Sequence, residues 1–122
     1  MAIEFKNEYG LISISSKLIS EIAANEAESC YGVVGMASRS AANGLVNLLK
    51  GDNKGRGVKV TSQDNKAIVE LHIVVEFGIN INSICKSIAN RVRYTLESVA
   101  GVPVKSVNIR VEGIRVSEYT EG

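Results

Sequence analysis

From Ala67 to Phe77 every second residue is apolar, and from Ile81 to Val99 an apolar residue returns every third or fourth position. That change of period constrains the chain more than any other feature. Side chains alternate across an extended strand, so Val69, Leu71, Ile73, Val75 and Phe77 share one face, with Glu70, His72 and Glu76 on the other. After Gly78 the residues Ile81, Ile84, Cys85, Ile88, Ala89, Val92, Leu96 and Val99 form one helical stripe. Lys86, Asn90, Arg91, Arg93 and Glu97 lie off it. Asn80 or Asn82 is suited to cap the helix start, and Gly101 followed by Pro103 marks its end. A long strand is thus handed directly to a long amphipathic helix.

The preceding chain can be read as packing around this unit. Residues 8–15, Glu-Tyr-Gly-Leu-Ile-Ser-Ile-Ser, predict a short strand ending in a serine cap at Ser15 or Ser16. The helix after it presents Leu18, Ile19, Ile22, Ala23, Ala27 and Cys30 on one side and Glu21, Glu26 and Glu28 to water, and stops at Gly32. Val33 to Ala37 predicts a short strand or tight connection. Arg39 to Lys50 predicts a short third helix, weakened by Gly44. Residues 51–57, Gly-Asp-Asn-Lys-Gly-Arg-Gly, predict a mobile polar loop. Val58 to Thr61, the Gln63–Lys66 turn and the long strand predict a hairpin. Val104 to Val116 alternates again, and residues 117–122 predict a frayed tail.

Together these elements predict a single α+β domain over residues 1–122, with its core at about 8–116. The expected architecture is a two-layer α/β sandwich, a mixed sheet with the two main amphipathic helices on one face. The other face would carry Lys59, Thr61, Glu70, His72, Glu76, Asn108, Arg110 and Glu112. Strands this polar on one side argue against a parallel sheet covered on both faces. Glu-Ser-x-x-Gly-Val occurs at both Glu28 and Glu97. The repeat reads as two glycine helix stops, or else as two related strand–helix–strand units.

The formal net charge of +1 gives no electrostatic case for nucleic acid or an anionic membrane surface. There is no apolar signal segment at the start, and no run approaches the ~20 apolar residues of a membrane span. These features predict a soluble intracellular protein with no direct membrane insertion. Cys30 and Cys85 sit on apolar helical stripes and read as buried free thiols.

No stretch forms a catalytic, cofactor or metal motif. His72, the one histidine, shares a strand face with Glu70 and Glu76 and could in principle hold a metal or move a proton. Strand neighbours at i and i+2 diverge, however, and an exposed strand balanced by Lys59 and Arg110 accounts for the same residues. Gly32-Val-Val-Gly35 has the spacing of the KH backbone clamp, but Val33 and Val34 want burial. An RRM-like sheet would need base-stacking aromatics that the polar face lacks. The 51–57 segment has no P-loop ending, and no serine lies in a nucleophile elbow.

The segments Gly10-Leu-Ile-Ser-Ile-Ser15, Gly32-Val-Val-Gly-Met-Ala37, Gly57-Val-Lys-Val60, Ile73-Val-Val-Glu-Phe-Gly-Ile-Asn-Ile81, Gly101-Val102 and Val107-Asn-Ile-Arg-Val-Glu-Gly-Ile114, in that order, resemble the alkaline shock protein family. This is the general or envelope stress response family of Gram-positive bacteria. The resemblance spans about residues 8–116. Asn82 stands where many members have proline in the first helical turn, a position where proline is favoured but not required. Without long charged tails, the chain looks like the short, housekeeping type. The resemblance implies a non-enzymatic, cytoplasmic scaffold or adaptor that self-associates. Some members are held at the membrane by a small integral membrane protein. It also implies an alternative, an accessory role beside a dihydroxyacetone-kinase-like enzyme of fatty acid phosphorylation. The family brings no catalytic residues, cofactor or metal. The partner-binding residues expected from the sequence are Lys54 and Arg56 of the glycine-rich segment and Arg91 and Arg93 of the long helix.

Overall fold

The computed structural model describes residues 2–39, 46–49 and 51–116. The long strand, β6 (Lys66–Glu76), is the middle of a five-stranded mixed sheet. Strand β7 (Val104–Arg115) runs parallel to it along nearly its whole length. Its other edge is shared end to end. β5 (Val58–Gln63) pairs with the first half of β6, and β3 (Val33–Arg39) with Ile73 to Val75. β4 (Val46–Leu49) lies outside β3. The β5–β6 hairpin closes through Asp64 and Asn65, both with positive φ (56° and 62°), the backbone twist that a two-residue turn requires. Lys105 Nζ, 2.9 Å from Asp64 Oδ2, ties this turn to the start of β7 and holds the Asp64 carboxyl below its ordinary range.

Two helices cover one face. α1 (Ser16–Glu28) is capped by the Ser15 hydroxyl, which accepts from the Leu18 N–H. α2 (Ile81–Tyr94) is capped by the Asn80 side chain, which accepts from the Ser83 N–H. α2 continues as a π-helical turn over Thr95–Val99 before Gly101, at φ +76°, turns the chain into β7. Ile19, Ala23 and Ala27 of α1, Ile84, Ile88 and Val92 of α2, Leu96, and Val69, Leu71, Ile73 and Val75 of β6 form one buried cluster. The predicted α+β class with helices over the apolar strand face is the architecture observed. Glu26 and Glu28, expected in water, are instead half-buried against Arg91 and Lys54. Leu18, Ile81 and Val99, expected on the apolar stripes, are exposed near the helix ends. Both cysteines are free thiols, Cys30 buried as expected and Cys85 only half-buried.

Three further expectations need correction. Val46–Leu49 is a strand, not part of a helix, because its residues complete hydrogen bonds along β3 that a helix would leave open; residues 40–45 and 50 of that predicted helix lie outside the described residues. Gly51–Gly57 is not a loose loop but a 3-10 helix laid along α1 and β3. Its glycines allow the close approach: a Cβ on Gly57 would lie 3.0 Å from the Ala37 carbonyl oxygen and 3.1 Å from Met36 Cβ. Phe77 is 69% exposed rather than in the core, because β6 ends at Glu76 and Gly78 turns the chain away at φ +88°. The predicted tail at 117–122 lies outside the described residues.

One element was not anticipated. β1 (Ala2–Asn7) pairs antiparallel with β2 (Gly10–Ser15) as a separate two-stranded sheet. Ile3 is fully buried and joins the main core, so the packed chain begins before residue 8.

Candidate functional site

The sheet face away from the helices holds a groove of about 620 Å³ at the point where β3 gives way to β5 along the edge of β6. Ala37 and Ser38 come from near the end of β3, Arg56 arrives from the 3-10 helix, and Lys59 is the second residue of β5. Glu70 and His72 of β6 form the floor, with Arg110 and Glu112 of β7 opposite. The alternation of β5, β6 and β7 that buries Val58, Val60, Val69 and Leu71 under the helices sends these polar side chains to this face.

His72 is the most constrained group in the groove. Its Nε2 lies 2.8 Å from Glu70 Oε2 and its Nδ1 2.6 Å from Glu112 Oε2. The expectation that strand neighbours diverge does not hold for Glu70, whose flexible side chain reaches along the strand to His72. Glu112 comes from β7 by a β-bulge. Ile73 is opposite Val111 and Val74 is opposite Gly113, which leaves Glu112 as the extra residue. The pairing of His72 with Glu112 was missed in the sequence, although a signal exists. The apolar step in β7 moves from odd positions (Val107, Ile109, Val111) to an even one (Ile114), which is what one inserted residue does to a period of two.

Both bonds to His72 form together only when each ring nitrogen carries a hydrogen or one carboxyl does, since an ionised carboxylate can only accept. Both ring nitrogens of His72 are thus engaged by carboxylates. The two nitrogens lie on separate edges of the ring, so the ring holds the two carboxylates apart. Among the described residues, no group of three or more His, Cys, Asp or Glu side chains is placed to hold a metal ion. Arg110 Nε lies 3.5 Å from Glu70 Oε2 and completes the network.

The four residues predicted to bind partners do not converge. Lys54 Nζ is 2.9 Å from Glu28 Oε1, and Arg91 Nε is 3.0 Å from Glu26 Oε1, so both brace the end of α1. Arg93 donates to the Lys105 carbonyl oxygen at 2.8 Å. Arg56 alone stands at the polar groove. Gly32-Val-Val-Gly35 is not a loop between helices, since Val33 and Gly35 already pair with β6.

Two apolar surfaces lie apart from the groove, at the two ends of α1. At its start the β1–β2 hairpin stands out as an arm. Ile3 and Ile14 are opposite each other at its base and Phe5 and Ile12 further out, and burial declines along it to Leu11 (57% exposed) and Tyr9 (88%). Beyond the end of α1, Tyr31 is 88% exposed and Phe77 69% exposed. They are brought together because the Glu76 N–H donates to the Gly32 carbonyl oxygen and the Phe77 N–H to that of Arg115. Ile81, at the start of α2, Ile114, near the end of β7, and Val116, just past it, are also exposed.

A mixed sheet with helices on one face and an open polar face on the other defines a small α+β domain. The chain belongs to the alkaline shock protein family, whose model, described as having a cell envelope-related function, matches residues 4–116. It is 37% identical over 118 residues to the uncharacterized protein YloU of Bacillus subtilis, covering 96% of this chain and 98% of that one. It is 35% identical over 117 residues to the uncharacterized protein Spy1614 of Streptococcus pyogenes, covering 95% and 97%. YqhY of Bacillus subtilis, also uncharacterized, is 30% identical over 106 residues, 87% of this chain and 78% of the relative. No solved structure matches the chain.

Proposed function

We propose that this protein is a non-enzymatic cytoplasmic scaffold or adaptor of the alkaline shock type, which works by self-association and by contacts with other proteins at the cell envelope. The observation that carries this reading is the pair of exposed apolar surfaces at the two ends of α1. A two-stranded hairpin is marginal in water by itself, and the outer half of this arm, with Phe5, Ile12 and Tyr9, is only partly covered by its own chain. The surface around Phe77 and Tyr31 has the matching apolar character. Packing the arm of one copy on the end of the next covers both. The two surfaces differ, so the contact is head-to-tail, and such contacts repeat into rings or open assemblies. No helix among the described residues is long and apolar enough to cross a membrane. In this reading, attachment to the envelope runs through a partner, such as a small integral membrane protein.

Sedimentation velocity over a concentration series tests the reading. Mass should grow with concentration, and Phe77→Ser and Tyr9→Ser should each suppress the growth. A wild-type chain that stays monomeric at its highest soluble concentration would overturn self-association and favour the accessory role beside a kinase-like enzyme.

A further inference from the structure

The polar groove is not used by the apolar contacts proposed above, and its charges are unevenly satisfied. Glu70 and Glu112 are both held by His72, and Glu70 also faces Arg110. Among the described residues, neither Arg56 nor Lys59 makes an ion pair, and both are exposed at the groove. Arg110, with 66% of its side chain exposed, keeps most of its guanidinium edge open. Three cations therefore face one concavity whose two carboxylates are already occupied, and the space between the cations is electropositive.

The shape adds to this. The volume, about 620 Å³, lies in the range of small-molecule sites, roughly 300–1,000 Å³. It is more than a lone inorganic ion needs. Its backing is rigid, because β6 is paired on both edges and His72 pins the carboxylates. The 3-10 helix that delivers Arg56 is held close by its glycines. Guanidinium groups offer forked donors that match the oxygens of phosphate, and an ammonium adds a point charge. Three cations suit a dianion better than a single carboxylate.

We propose that this groove binds a phosphomonoester, its phosphate held by Arg56, Lys59 and Arg110 and its organic part lying over Ser38 near the end of β3. His72 acts as a positioning residue. It keeps Glu70 and Glu112 turned to each side of its ring, with Glu70 also meeting Arg110, and so keeps both carboxylates from facing the ligand directly.

The test is a 1H–15N NMR titration of the full chain at constant ionic strength with glycerol 3-phosphate, with inorganic phosphate and with chloride as separate arms. Glycerol 3-phosphate should give saturable shifts centred on Lys59, His72 and Arg110. The two exposed variants Arg56→Gln and Lys59→Gln should each weaken binding by about tenfold, the size of one lost charge-assisted contact. Lys86→Gln, on the exposed face of α2, should leave it unchanged while altering net charge equally. An ester that binds more tightly than inorganic phosphate identifies an organic phosphate as the ligand. Equal binding of the two overturns the ester and leaves a bare phosphate site. Shifts that do not saturate, that chloride reproduces, or that survive in the Arg56→Gln/Lys59→Gln double variant overturn the site altogether. None of these outcomes depends on the oligomeric state.

Discussion

Nδ1 of His72 lies 2.6 Å from Oε2 of Glu112, a carboxylate forty positions further along the chain whose side chain is only 11% exposed. The contact exists because β7 carries one extra residue at this point of its parallel pairing with β6. A double-mutant cycle of His72→Ala and Glu112→Ala, followed by urea unfolding, should give a coupling energy of about 1 kcal/mol, within the range for side chains in direct contact. Additive single effects would show that the contact contributes nothing to stability.

α1 ends at Glu28, short of the expected stop at Gly32; Gly32 sits in the turn before β3 at φ +92°, and a Cβ there would lie 2.5 Å from Ile84 Cδ1 and 2.8 Å from Ile79 Cδ1. Gly32→Ala should cost about 2–4 kcal/mol, combining the left-handed backbone conformation with overpacking. Adding Ile84→Val removes the nearest atom. The double variant should be less destabilised than the sum of the two single variants, and strict additivity would place the strain elsewhere.

Burial raises the thiol pKa of both Cys30 and Cys85 above the ordinary 9.0. The folded chain therefore holds these protons more tightly than the unfolded chain. Their contribution is fully present below pH 9.0 and is lost as the pH climbs through the folded values above it. Stability should fall on the alkaline side of that value, and Cys30→Ala should flatten the fall. An unchanged slope in denaturation midpoints taken at several alkaline pH values would remove Cys30 as the cause.

Arg91 with Glu26 and Lys54 with Glu28 join α1 to α2 and to the 3-10 helix at partly exposed positions. Arg91→Gln and Lys54→Gln should each cost less than about 1 kcal/mol, and less again in high salt, because solvent screens such pairs. A cost of several kcal/mol in thermal unfolding would show that these pairs are structurally essential.

The parts of the fold that were legible are those written in local periodicity. The change of period after Gly78 marks β6 and α2, the serine and asparagine caps mark where the helices begin, and Asp64-Asn65 marks the hairpin turn. The polar groove was legible as a face, since Lys59, Glu70, His72, Arg110 and Glu112 follow from alternation alone. Its contacts were less so. The bulge at Glu112 leaves only a faint trace in the spacing from Val111 to Ile114, and nothing near Arg56 announces that it would reach the sheet.

The sequence by itself determined the class of the fold, the apolar stripe of each helix and which side of each long strand meets the core, because these depend on the spacing of side chains along one segment. Only the tertiary structure decided that β7 lies parallel beside β6, that β3 and β5 share one edge, that Val46–Leu49 becomes a strand and that Phe77 is left outside. Those outcomes depend on which distant segment satisfies a strand's hydrogen bonds and where a neighbouring element stops covering it, and no local pattern contains either quantity.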